Sequence, residues 1–102
     1  MTTTNLLKLE EDVLTIQLSA ASYRMNDVLV PALYQDLARL KQNELRGGKL
    51  LKVNGKHSLP MAYVLADGVA HLYGAIAIFE PEHQGYLVAI SHDPDYPVGA
   101  YV

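Results

Sequence analysis

The order of apolar segments along these 102 residues predicts one α/β domain, running strand, strand, helix, strand, helix, strand, strand. Three patterns carry that expectation. Leu14, Ile16 and Leu18 alternate with Thr15 and Gln17, the period-two pattern of a strand with one buried face. Leu29, Leu33, Leu37 and Leu40 recur at steps of four, four and three and so share one helix face. Ala75-Ile76-Ala77-Ile78-Phe79 is an unbroken apolar run of strand length, as expected for a strand buried on both faces. An inner strand with helices before it predicts a small Rossmann-like layered fold, ββαβαββ, with an antiparallel hairpin at each end. A ferredoxin-like α+β arrangement is the alternative, differing in where the first hairpin pairs.

Each element follows from local chemistry. Leu6-Leu7-Lys8-Leu9 and Val13 to Leu18 read as two short strands around the polar turn Glu11-Asp12. The first helix runs from Asn26-Asp27 towards Leu45, with Pro31 suited to a first turn, where its missing N–H costs nothing. Lys41 and Arg46 sit near the negative end of its dipole, and Gly47-Gly48 stops it. Leu50 to Val53 is the third strand, ended by Asn54-Gly55. A second helix opens at Pro60 and extends to about Tyr73, turning Met61, Val64, Leu65, Val69 and Leu72 inward, with Gly74 as its stop. Gly68 either weakens it by about 1 kcal/mol or marks the close approach of another backbone. The strand 75–79 turns through Glu80–Gly85 and returns as Tyr86–Ile90.

Composition narrows the class. Half the residues are hydrophobic and 19% are charged, and the mean hydropathy is +0.07. That excludes a disordered chain. No apolar run approaches the roughly 18–20 residues of a membrane span, and Met1 to Asn5 lacks the pattern of a secretory signal. With no cysteine, disulfide frameworks, thiolate metal sites and cysteine nucleophiles are excluded. A cytoplasmic setting and a single domain over residues 1–102 are the expectation.

The net charge of −3, with only 8 basic residues, argues against a duplex-DNA-binding protein. From Asn54 onward Lys56 is the only Lys or Arg, beside Asp67, Glu80, Glu82, Asp93 and Asp95. All four histidines, His57, His71, His83 and His92, lie in the same half. Acids and histidines without basic neighbours suit a divalent cation, but they are more simply read as solvated loop and helix positions.

Four features could carry chemistry. Asn54-Gly55-Lys56-His57-Ser58 lies between a strand and a helix start, where free N–H groups, a glycine and one cation can hold a phosphate; the same string also makes an ordinary tight turn. Asp67 and His71 are spaced i, i+4, for joint orientation or for a surface ion pair. Glu80 closes the apolar run, where desolvation can tune a carboxylate, and His92 closes the next strand; both also read as solvated strand ends. Serine-hydrolase order and HExxH spacing are absent.

Taken as one string, Asn54-Gly55-Lys56, Leu59-Pro60, His71, Phe79-Glu80-Pro81, Gly85, Ser91-His92 and Tyr96-Pro97-Val98-Gly99 resembles a family of small CRISPR-associated accessory proteins of type III systems. The resemblance covers roughly residues 50 to 99. His71 stands nine residues before Glu80, and His92 seven after Gly85, as in the family. Three departures stand out: Glu80 replaces an aspartate, Glu82-His83-Gln84 replaces a stretch that usually carries an arginine, and that turn is one residue longer.

The resemblance implies a Rossmann-like dimer that binds short RNA and cyclic tetra-adenylate and cleaves the ring with Mn²⁺ or another divalent cation. It implies a homodimer, with tetramer assembly on ligand as an extension. Carried onto this chain, it makes Glu80 and His92 metal ligands and His71 the acid–base group, so that His71, Glu80 and His92 form the catalytic set. Asn54, Gly55 and Lys56 become the phosphate-binding set. Two further readings remain open: a non-catalytic cyclic-oligoadenylate or RNA-binding module, and a manganese-dependent 3′-end RNA exonuclease.

Overall fold

The computed structural model describes residues 6–18 and 25–102, and the expectation for Met1–Asn5 lies outside them. The elements are β1 (Leu7–Glu10), β2 (Val13–Ile16), α1 (Asn26–Asn43), β3 (Gly48–Asn54), α2 (Leu59–Val69), β4 (Tyr73–Glu80) and β5 (Gly85–Ser91). They occur in the order read from the sequence. The strands make one five-stranded mixed sheet, ordered β1-β2-β3-β4-β5. The inner strands β2, β3 and β4 run parallel, and β1–β2 and β4–β5 are antiparallel hairpins. This overturns the ferredoxin-like alternative: each helix joins two strands that are direct neighbours, with no strand inserted between them.

Both helices pack on one face of the sheet. The α1 leucines Leu29, Leu33, Leu37 and Leu40 share a single buried cluster with Met61, Leu65 and Val69 of α2 and with alternate residues of the strands. Fully burying one such leucine contributes about 1.5–3 kcal/mol. Gly68 marks a close approach, but of a side chain rather than a backbone: Leu37 occupies the space a Cβ would need. On the opposite face Ala75, Ala77 and Val88 make a smaller cluster closed by Leu50, Tyr86 and Tyr96. Ala75, Ile76 and Ala77 are all buried, so β4 is covered on both sides over that stretch.

The outer edge of β5 is covered by the last residues of the chain. Val88 N–H donates to the Ala100 carbonyl at 2.8 Å, Gly99 N–H to Val88 at 2.8 Å, and Val102 N–H to Tyr86 at 2.9 Å. These bonds occupy groups that an edge strand would otherwise present to other chains.

Three details differ from the sequence reading. α1 begins at Asn26 as expected, but that start leaves Pro31 in its interior, in the second turn rather than the first. The Asp27 carbonyl loses its intrahelical donor there, and both residues are exposed to water. α2 stops at Val69, and Tyr73 and Gly74 open β4 instead. Sheet pairing explains this: Tyr73 is in register with Gly48, whose N–H bonds the Leu72 carbonyl at 3.1 Å. β2 ends at Ile16, short of Leu18.

One carboxylate ties the first hairpin to the helical layer. Asp36 of α1 is the buried charged residue among those described, at 8% exposure. Its Oδ2 accepts the backbone N–H groups of Leu6 at 2.9 Å and Leu7 at 2.8 Å. Its Oδ1 accepts Arg39 Nε at 2.7 Å, and that hydrogen bond raises the arginine pKa further. Asp36→Ala leaves two buried donors unpaired, so it is expected to destabilise the fold by about 3 kcal/mol, and Asp36→Asn by less. Urea unfolding at unchanged m-value measures this; a loss below about 1 kcal/mol for the alanine variant means that β1 docks without the carboxylate.

Candidate functional site

Because β2, β3 and β4 are parallel, their C-terminal ends lie along one edge of the sheet. The loop from Asn54 to Ser58 sits there, between β3 and α2. Asn54 Oδ1 accepts the Gly55 N–H at 2.8 Å, and His57 Nδ1 lies 2.9 Å from the Gly55 carbonyl. Gly55 has φ +104°, and a Cβ at this position would run into the backbone of Ile16. Glycine is therefore required by both conformation and close approach.

Ser58 caps α2. Its hydroxyl donates to Asn26 Oδ1 at 2.7 Å and accepts the Met61 N–H at 3.4 Å. Ala62 N–H bonds the Ser58 carbonyl, and Pro60 has no N–H. The helix start consequently offers fewer free donors to an anion than the sequence reading supposed, and Lys56 beside it is exposed. Lys56 and His57 stand between two open cavities. One, of about 370 Å³, is walled by Asn54, Gly55, Phe79 and Pro81. The other, of about 390 Å³, is walled by Leu18, Asn26, Leu29 and Met61. Both are within the size range of small-ligand pockets.

Glu80 ends β4 on the same edge as this loop, and its carboxylate is already heavily engaged. Oε2 accepts the Glu82 N–H at 3.1 Å. Oε1 accepts the His83 N–H at 2.9 Å, meets His83 Nδ1 at 2.7 Å and accepts the Tyr101 hydroxyl at 3.3 Å. Desolvation opposes ionisation here but does not dominate. The His83 side chain, then the two backbone donors, hold Glu80 below the ordinary carboxylate value. Partial desolvation, followed by the neighbouring Glu80 carboxylate, pushes the Tyr101 phenol above its ordinary value.

The other two predicted catalytic residues lie elsewhere. His71 is exposed in the turn between α2 and β4. His92 follows β5, and its N–H bonds the Gly74 carbonyl at 2.7 Å, near the start of β4. Glu80 is six residues further along that strand, about 20 Å away. Within one chain, therefore, Glu80 and His92 do not fit as ligands of one ion, and His71 does not join Glu80 at one phosphate. Glu80 shares its edge instead with Asn54, Gly55 and Lys56. The Asp67–His71 spacing also fails to define a helix face, because α2 stops at Val69. Among the described residues no group of three His, Asp or Glu side chains converges as a metal site, and no helix is long and apolar enough to cross a membrane.

Sequence reasoning missed His83 and Tyr101 as neighbours of Glu80. The Glu80–His83 spacing was a usable signal, since a four-residue turn brings its ends together. Tyr101 had none, because its approach depends on the tail pairing with β5 and on Gly85, where a Cβ would stand only 3.2 Å from the ring.

Because the folded Glu80 carboxylate releases its proton more readily than an ordinary carboxylate of 4.5, its stabilising effect is present above that value and is lost as pH falls through the lower folded value. Thermal melts of the wild type and Glu80→Gln should accordingly differ most at neutral pH and converge in acid. A gap that stays constant across that range would separate Glu80 ionisation from the stability of the hairpin. Compared with family models, curated proteins and solved structures, the chain matches none.

Proposed function

We propose that this chain binds a cyclic oligoadenylate, cyclic tetra-adenylate in particular, and cleaves it as a metal-dependent phosphodiesterase that ends type III CRISPR signalling. The motif string from Asn54 to Gly99 is the basis for the substrate and the reaction. The observation that carries the reading is the edge that Gly55 and Lys56 share with the end of β4. One pocket-sized cavity there is walled by Asn54, Gly55 and Lys56 and by Phe79 and Pro81, the two neighbours of Glu80 in sequence. In this reading the β2-α1-β3-α2-β4 unit is Rossmann-like, with its ligand beyond the C-terminal ends of parallel strands. Lys56 holds a phosphate by charge, and the His71 imidazole moves a proton as the acid–base group. The divalent ion supplies phosphoryl polarisation when bound. His92 is not its second ligand within the same chain as Glu80, for the reason of distance given above.

His71 and Glu80 lie at opposite ends of β4, so a site using both is composite: a homodimer or larger assembly must bring His71 of one copy to Glu80 of another. A second reading, a binding module without turnover, is favoured by the hydrogen bonds that already occupy Glu80. The two separate on metal-dependent ring opening. Lys56→Ala is expected to weaken binding by roughly tenfold to 150-fold at fixed salt. His71→Ala and Glu80→Gln are each expected to be inactive alone and to recover roughly a quarter of wild-type activity when mixed and re-associated. Tight binding without ring opening by the wild type selects the binding module. Cleavage by the wild type with a mixture that stays inactive removes the composite site.

A further inference from the structure

At the Glu80 turn, three lone-pair atoms from two distant parts of the chain converge. Glu80 Oε1 and His83 Nδ1 are 2.7 Å apart, His83 Nδ1 and the Tyr101 hydroxyl 3.0 Å, and the hydroxyl and Oε1 3.3 Å. Ligand atoms at about 2.1 Å from a divalent cation lie about 3.0 Å apart in an octahedral shell and about 3.4 Å apart in a tetrahedral one. The triangle thus has close to the dimensions of one face of a coordination shell. The geometry points to a divalent-cation site formed by Glu80 Oε1, His83 Nδ1 and the Tyr101 hydroxyl within a single chain.

The site is held in place before any ion arrives. The backbone N–H groups of Glu82 and His83 fix the carboxylate. The left-handed conformation of Gln84, at φ 51°, closes the turn. Tail pairing at Val88 and Tyr86 positions Tyr101 from the other side, and its ring lies 5.1 Å from that of His83. In the ion-free protein the three atoms share the imidazole and phenol protons as hydrogen bonds. On binding, His83 presents its Nδ1 lone pair and carries its proton on Nε2, and this side chain is 65% exposed, so the shifted proton is solvated. The phenol keeps its proton and is the weakest ligand. Imidazole with carboxylate favours the later first-row divalent ions, with Zn²⁺ above Mn²⁺ and Mg²⁺ weakest.

This inference rests on the proposed function only for Glu80 as a metal ligand. It gives that residue His83 as its partner in place of His92. Its test is metal binding without nucleotide, and so its outcome is separate from any cleavage assay. Calorimetric titration of the full chain with Zn²⁺ and with Mn²⁺ should show one ion per chain, with Zn²⁺ the tighter. His83→Ala should lower affinity by more than about tenfold, Tyr101→Phe by less, and Glu82→Gln should leave it unchanged. Mn²⁺ added to the wild type should broaden the NMR signals of His83, Gly85 and Tyr101 before those of His71 and His92, a readout that needs no variant to fold. Absence of stoichiometric binding overturns the site. So does wild-type affinity in His83→Ala, or broadening centred on His92, which would assign the ion to two copies of the chain.

Discussion

The sequential order of three parallel strands is the constraint from which the rest of this structure follows. When neighbouring strands are joined by right-handed crossovers in one direction across a sheet, the helices fall on the same face. Here α1 and α2 share one cluster with a single side of the sheet. The other side must find its cover elsewhere, and there Leu50, Tyr86 and Tyr96 close over Ala75, Ala77 and Val88, while residues 99–102 pair along the edge of β5. Small residues suit that arrangement, since Ala75 and Ala77 are fully buried beneath those three side chains.

The same constraint sorts chemistry by edge. Parallel strands place every strand-to-helix loop at one end and every helix-to-strand turn at the other. Gly55, Lys56 and Glu80 consequently share the first edge, and His71 belongs to the second. His92 reaches the second edge through the antiparallel return of β5. An eight-residue strand separates the two groups, and no side-chain rotation spans that length. Chemistry that needs both groups requires a second copy, whereas chemistry centred on Glu80 can use what its own turn supplies.

Glu80 shows how one carboxylate can serve both fold and site. Its backbone acceptor bonds close the hairpin turn, and its Oε1 gathers His83 and Tyr101. A longer side chain than aspartate suits this position, because the extra methylene lets the carboxylate fold back over the turn while still pointing at the tail. Asp36 plays the purely structural counterpart at the other end of the sheet, where a buried carboxylate pairs the backbone of Leu6 and Leu7 that β2 leaves free.

By itself, the sequence determined the order of elements, the α1 leucine stripe, the position of the Gly55 loop and, within the apolar run 75–79, the double burial of Ala75–Ala77, whereas Ile78 and Phe79 are only half-buried. Each depends on periodicity or on backbone preference within a few residues, and such signals survive without tertiary context. The end of α2 did not follow from it, because Tyr73 and Gly74 were captured by pairing with β3 rather than by their own propensity. Only the tertiary structure decided that His92 and Glu80 stand apart and that Tyr101 stands beside His83. Spacing along a chain does not record strand direction, and a tail eighteen residues from His83 reaches it only because β5 turns back and offers its edge.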